Sequence, residues 1–189
     1  MAEPRLPCIW GTGSRATSIF FSTDDLDRAA LRRGCRILTE AKTLQDEPNT
    51  LTVVAEKAGT PIKLSFFGGI DFGRVGEPIF INNTARIASR VDLLGTKLAT
   101  VTQRIEARDY LDIAALLTSG LTINEGIAAL LALYGAQASG VQSVKTIAWF
   151  KDGNLERVLP PDVRAVLTAA ATAYDPRTPP AAKRSARLD

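Results

Sequence analysis

Apolar residues along the chain follow two different periods, and the change falls near Ser89. Before it, β-rich runs alternate with turn residues: TSIFFS from Thr17 to Ser22, then TLTVVAEK and PIKLSFF, then IFINNTARIAS. Ala58-Gly59-Thr60 joins the two middle runs as a short glycine-containing connection, which predicts a β-hairpin. DEPN reads as the turn ahead of it, and GGIDFGRVGEP as a loop wrapping the sheet. One helix interrupts the strands. Ser22 or Thr23 can cap it, Asp24, Asp25 and Asp27 oppose the dipole in its first turn, and Leu31, Cys35 and Leu38 recur at helical spacing. Arg28, Arg32 and Arg36 line a separate side, which reads as a solvated face.

Beyond Ser89 the spacing becomes helical. Val91, Leu94, Leu98, Val101 and Ile105 share one face of a helix that Ser89 and Asp92 can cap as a box, with Asp in place of the usual Glu. A second helix starts near Ala107 and stops at Ser119-Gly120; a third, capped by Thr122 or Asn124, runs through Leu133 and ends at Gly135. SVKTIAWF and PPDVRAVLTAAATAY supply two more helical stretches. The fold class is therefore α+β: a β-rich core over residues 1–88, a helical bundle over 89–174, and a Pro- and Ala-rich tail over 175–189 that reads as disordered.

Composition narrows the chemistry. No histidine occurs among the 189 residues, so a Ser-His-Asp or Cys-His nucleophile, or a His-ligated metal centre, cannot be built from this chain alone. Acid-base work falls to carboxylates or lysine. The formal charge is +3, but Arg177, Lys183, Arg184 and Arg187 against Asp175 and Asp189 place most of it in the tail, so the body is near neutral and its charge does not single out a polyanionic partner. Cys8 and Cys35 lack zinc-ligand or CxxC spacing and read as buried reduced thiols. No signal peptide and no run of about 18 apolar residues is visible. The expectation is a cytoplasmic protein with no membrane partner.

Lys97, Arg104 and Arg108 share a helical side, and Asp109 and Asp112 follow three apart. A lysine beside fixed carboxylates suits phosphate binding, because the ammonium neutralises charge while the acid orients it. An ordinary surface ion-pair cluster has the same spacing. The run LLGTKLATVTQRIEARDYLDIAALL resembles the K-L…R…R-D-x-x-D signature of the AbiEii-type nucleotidyltransferases, toxin halves of abortive-infection and toxin–antitoxin pairs. FFSTDDLDRAALRRG, LQDEPNTLTVV, PIKLSFFGGIDFGRVGEP and IAWFKDGNLERVLP resemble the family in the same order.

The resemblance implies a nucleotidyltransferase-like mixed β-sheet core followed by a helical bundle. It also implies transfer of a nucleotide from a nucleoside triphosphate to an acceptor such as tRNA or another RNA, with Mg2+ as cofactor and a cognate antitoxin as partner. Carried over by position, Lys97 is the phosphate lysine, Arg108 joins it in binding nucleotide, Asp109 is the acid after that arginine, and Asp112 supports the helix junction. The magnesium pair, Asp-x-Asp, belongs just before Phe20-Phe21, where Thr17, Ser18 and Ile19 stand instead; Ser65 stands where a third carboxylate is found in other nucleotidyltransferases. Counting from Gly13-Ser14, a nucleotide-binding turn by position, reaches Asp25 and Asp27 as substitute metal ligands, although the same acids read as N-terminal charges of a helix. Trp10 and Trp149 have the chemistry to stack a base, but the bland reading places them in the core. Impaired transfer is the expectation for the enzyme reading, and a non-catalytic relative that only binds nucleotide, RNA or antitoxin is the alternative.

Overall fold

A computed structural model gives the fold and describes residues 8–10, 17–70, 73–81 and 85–177. Gly13, Ser14 and the tail from residue 178 onward lie outside the described residues. Five strands form a mixed sheet in the order β1-β2-β5-β4-β3: Cys8–Trp10 (β1), Thr17–Phe21 (β2), Lys42–Glu47 (β3), Thr50–Lys57 (β4) and Thr60–Phe67 (β5). β2 and β5 are parallel and every other pair is antiparallel. A parallel pair requires a crossover, and here two short helices and the β3–β4 hairpin provide it. Ile79–Ile81 (β6) and Ala85–Ile87 (β7) make a separate antiparallel ribbon.

The two-residue side-chain period of a strand sorts this sheet into two faces. Phe20, Leu51, Val53, Leu64 and Phe66 occupy one face and pack with Leu26, Leu31 and Leu38, the Phe20 and Phe66 rings stacking at 4.7 Å. On the other face the register sets Ile19 beside Ser65 and Ser65 beside Thr52. The β4–β5 hairpin forms as expected, its turn carried by Ala58 and Gly59 at φ 51° and 76°, the doubly left-handed conformation that matches strand twist.

The helix expected from Ser22 is shorter and broken. It begins at Arg28, where the Asp27 carboxylate accepts from Ala30 N–H, runs Arg28–Gly34 (α1), breaks at the extended Cys35, and resumes as Arg36–Thr39 (α2). Residues 22–27 are instead tied to the sheet end: Ser22 N–H donates to Phe67 O, Gly69 N–H to Asp24 O, and Leu26 N–H to Asn49 Oδ1 at 2.7 Å. Those bonds to residues distant in sequence outcompete the helical ones. The arginine stripe is likewise not simply solvated, since Arg28 and Arg32 both pair with Asp46. β3 itself, KTLQDE, was hidden within what reads as helix end and turn: it is an edge strand with all six residues exposed and a bulge between Thr43 and Gln45, so no apolar alternation marks it.

Six helices follow: Arg90–Thr100 (α3), Ala107–Thr118 (α4), Ile123–Tyr134 (α5), Gly140–Ile147 (α6), Leu155–Val158 (α7) and Pro161–Ala173 (α8). Ser89 caps α3, and Asp92 accepts from Ser89 Oγ and from the N–H groups of Val75 and Gly76, which satisfies its buried carboxylate. Thr122 and Glu125 form a complete capping box on α5. Leu94, Leu98, Ile113, Leu130, Ile147 and Leu167 centre this core. The fold is α+β, a mixed sheet followed by helices, as the change of period predicted. Its described residues form two compact units, one containing the sheet, α1, α2 and the β6–β7 ribbon, the other residues 73–77 with α3 to α8.

Close approach of α3 and α5 depends on two glycines. A Cβ on Gly95 would sit 2.8 Å from Leu130 N, and one on Gly126 would sit 2.6 Å from Leu94 Cγ. Backbone cannot yield at Gly95 as a side chain tip can, so Gly95→Ala is expected to destabilise by about 1–3 kcal/mol despite alanine's better helix propensity. Thermal unfolding followed by circular dichroism checks this: an unchanged or raised Tm would show that the helices can separate without loss.

Candidate functional site

The described residues bring together four of the charged side chains singled out in the sequence. Lys97 lies in the last turn of α3 and Asp109 in the first turn of α4, where its charge opposes the helix dipole favourably. Lys97 Nζ donates to Asp109 Oδ1 at 2.9 Å and pairs with Asp112 Oδ2 at 2.5 Å. Arg104 Nε donates to Asp109 Oδ2 at 3.0 Å. The Asp109 carboxylate is fully buried, whereas Lys97 keeps 21% and Arg104 46% of its side chain exposed. Arg108, assigned to nucleotide binding, is 54% exposed and pairs with Glu106 at 2.6 Å instead of joining this carboxylate.

Electrostatically the cluster is nearly balanced, with two cations facing two carboxylates. Burial works against the charge on Asp109, but hydrogen bonds and charge from Lys97 and Arg104 prevail and hold its carboxyl below the ordinary range. The same acid keeps the Arg104 guanidinium firmly protonated against its partial burial. An ammonium has three N–H donors, and two carboxylates already claim Lys97. An incoming phosphate therefore competes with Asp112 and Asp109 for this group.

Sequence reasoning noted Arg104 as a neighbouring cation without giving it a role; it is the second clamp on Asp109. Its separation of seven from Lys97 was the available signal, but the residues between them leave the helix, with Lys97 in α3 and Arg104 in the turn after it. Trp149 is 51% exposed and so departs from the core reading, and Lys151 Nζ stands 5.6 Å from its ring centre.

On the sheet, the rung that crosses β2, β5 and β4 on the face away from the core reads Ile19, Ser65, Thr52. Ser65 is 5% and Thr52 6% exposed, and Thr52 Oγ1 bonds Ser65 Oγ at 3.2 Å. Hydroxyls satisfied by each other need no ion. Asp25 and Asp27 precede α1 and are engaged separately, Asp25 Oδ1 accepting from Asn49 Nδ2 at 2.8 Å and Asp27 Oδ1 from Ala30 N–H at 2.8 Å. Among the described residues no group of three acids, histidines or cysteines is placed to hold a metal ion. Magnesium at a triphosphate needs one or two carboxylates converging on the substrate phosphates; Ile19 and Ser65 offer none, and Asp25 and Asp27 are held by separate partners, so these residues do not fit it.

The family model described as nucleotidyl transferase AbiEii toxin, type IV toxin–antitoxin system, matches residues 20–184. The chain belongs to the AbiEii family. It is thus a nucleotidyltransferase-type toxin by family, with a mixed sheet followed by helices. The matched segment includes Phe20, Ser65, Lys97 and Asp109 and begins directly after Ile19. A comparison with curated proteins finds no match. Among the described residues no single helix of this AbiEii member is long and apolar enough to cross a membrane.

Asp109 yields a prediction with a definite sign. Its folded carboxyl lies below the ordinary value of 3.8, so its stabilisation is complete above that value and is lost as pH falls through the lower folded one. Asp109→Asn leaves two cations facing a neutral amide and is expected to cost about 3 kcal/mol near neutral pH. The deficit should shrink below about pH 4, where the unfolded wild-type chain takes up a proton at this carboxyl that the folded chain still excludes. Urea unfolding of both proteins at neutral and acid pH measures it; a deficit independent of pH would show that shape and not charge is at stake.

Proposed function

We propose that this AbiEii-family chain acts on a nucleoside triphosphate and an RNA acceptor, tRNA or another RNA, in the cytoplasm alongside a cognate antitoxin, and that its transfer step is impaired. The observation that carries the reading is the Ile19–Ser65–Thr52 rung: Ile19 and Ser65, at positions where the family resemblance calls for acids, are an apolar side chain and a hydroxyl already bonded to Thr52. In-line displacement at a triphosphate is accelerated mainly by positioning and by neutralising charge that develops on phosphate oxygens. Lys97 can supply part of that neutralisation, and Asp109 orients it. In intact nucleotidyltransferases a carboxylate-held magnesium supplies the rest. Arg104 and Arg108 stand at the same helix junction, exposed enough to meet phosphate.

The second reading, a relative that binds nucleotide, RNA or antitoxin without transferring anything, is favoured by the double ion pairing of Lys97. Incubation with radiolabelled triphosphates, magnesium and total tRNA separates the two. The wild-type chain is compared with Lys97→Ala, Asp109→Ala, paired Asp25→Ala/Asp27→Ala, and a variant given acids on the sheet, Thr17→Asp/Ile19→Asp/Ser65→Asp. Under the first reading the wild type labels RNA weakly, Lys97→Ala removes that labelling, and the added acids raise it by at least about a hundredfold. Strong wild-type labelling abolished by the paired Asp25/Asp27 variant would overturn the impairment and make those acids the ligands. No labelling by the wild type or by the acid-restored variant, with an intact relative labelling RNA alongside, would leave the binding-only reading standing.

A further inference from the structure

Arginine is concentrated on the two short helices that cover the sheet. α1 and α2 carry Arg28, Arg32, Arg33 and Arg36, and the only acid between Arg28 and the start of β3 is Glu40, which follows α2. One more acid reaches these helices from β3: the Asp46 carboxylate pairs with Arg28 and, at 3.2 Å, with Arg32. Strand register confirms the side. Asp46 and Thr43 stand opposite Leu51 and Val53, which pack toward the helices, whereas Lys42 and Glu47 stand opposite Val54 and Thr50 on the other face. Four guanidinium groups therefore meet two carboxylates on the helix side, a surplus of two positive charges. Asp24, Asp25 and Asp27 lie ahead of α1, where Asn49 Nδ2 holds Asp25 and Ala30 N–H holds Asp27.

The arginines fall into two kinds. Arg28 and Arg32 are set side by side by their shared acid, and Arg32 is fixed further by donating to Thr43 Oγ1 at 3.0 Å and to Leu38 O at 3.4 Å. Both keep about a third of the side chain exposed, 36% and 29%, and a guanidinium has five N–H donors, so each retains donors for another anion. Arg33 and Arg36 are exposed and have no ion-pair partner among the described residues. Ion pairs this exposed contribute little to stability, so the fold does not account for the surplus. What surrounds the arginines narrows the partner. Leu31, Ile37 and Leu38 turn toward the sheet core, and the other exposed residues of α1 and α2 are Ala29, Gly34 and Thr39. These helices thus lack the aromatic or aliphatic anchor around which a protein interface is built. A phosphodiester backbone needs no such anchor: forked guanidinium donors match its oxygens, and releasing its condensed counterions drives association.

We infer that the arginine face of α1 and α2 is a docking surface for an RNA phosphate backbone. The inference rests on the RNA-acceptor reading above and adds where the strand lies. The test is filter binding of labelled total tRNA to the full chain between about 50 and about 200 mM salt. It is repeated with Arg33→Ala/Arg36→Ala, with Asp46→Asn and with Lys97→Ala, and melting curves confirm that each variant folds. Removing two phosphate contacts is expected to weaken binding and to lower the slope of log K against log salt by about 1 to 2. Asp46→Asn is expected to act in the opposite direction, tightening binding severalfold, because it removes the acid that competes with phosphate for Arg28 and Arg32. A solvated arginine face predicts neither change. An unaltered slope in the arginine variant, or Asp46→Asn binding no tighter than wild type, overturns the surface. Polyglutamate competing as well as RNA of equal charge would make the partner an acidic protein and overturn the RNA assignment. The two ideas fail separately: tRNA binding that Lys97→Ala weakens and the arginine variant leaves intact sinks this face and preserves the acceptor reading, whereas no tRNA binding by the wild type at any salt sinks both.

Discussion

A fully buried carboxylate is the constraint around which the helical unit is arranged. Taking Asp109 out of water costs several kcal/mol unless opposite charge and hydrogen bonds replace the lost hydration. Lys97 comes from the last turn of α3 and Arg104 from the turn that follows, so satisfying one acid fixes the end of one helix, the connection and the start of the next. Tyr110 and Ile113, one and four residues further along α4, then enter the core at a set angle. The polar clamp and the apolar packing thus determine the same geometry.

That dependence bears on function. A lysine available for phosphate would ideally have one orienting acid, but here it has two. The second, Asp112, lies one helical turn after Asp109 minus a fraction, on the same side of α4. With both in place the cluster is self-compensating, which suits stability and opposes anion capture.

Much of this organisation was legible in the sequence, and what was not has identifiable physical causes. The three- and four-residue steps from Val91 to Val101, the Thr122–Glu125 box and the Ala58-Gly59 turn are local signals that survived folding, whereas Ile105, expected on the same helical face, lies beyond the end of α3 and is half exposed. The charged cluster was visible as types and spacings, though not which cation would meet which acid, because that depends on a turn between helices. The failures were non-local. Nothing near Ser22 reveals that Asn49, more than twenty residues away, accepts from Leu26 N–H and delays the helix to Arg28. β3 gave no alternation because an exposed edge strand buries neither face. Trp149 reads as core by residue type, yet its position after α6 leaves half of it in solvent.

Strand alternation explains how the sheet can hold its fold without acids at this rung. Phe20 and Phe66 face the packed side, while Ile19 and Ser65, their immediate neighbours in sequence, face the other. A substitution at Ile19 or Ser65 therefore leaves the Phe20–Phe66 stack and the Leu38–Leu51–Val53 core on the opposite face. Two or three acids converging on one rung would repel unless a cation joined them. Ile19, Ser65 and Thr52 have no such requirement, and the Thr52–Ser65 hydrogen bond replaces what an ion would provide. Stability and catalysis have opposite needs at this rung, and the residues present satisfy the first. The packed face of the sheet holds the fold while Ile19, Ser65 and Thr52 lie on the other, so the aromatic and aliphatic core does not dictate which side chains that rung carries.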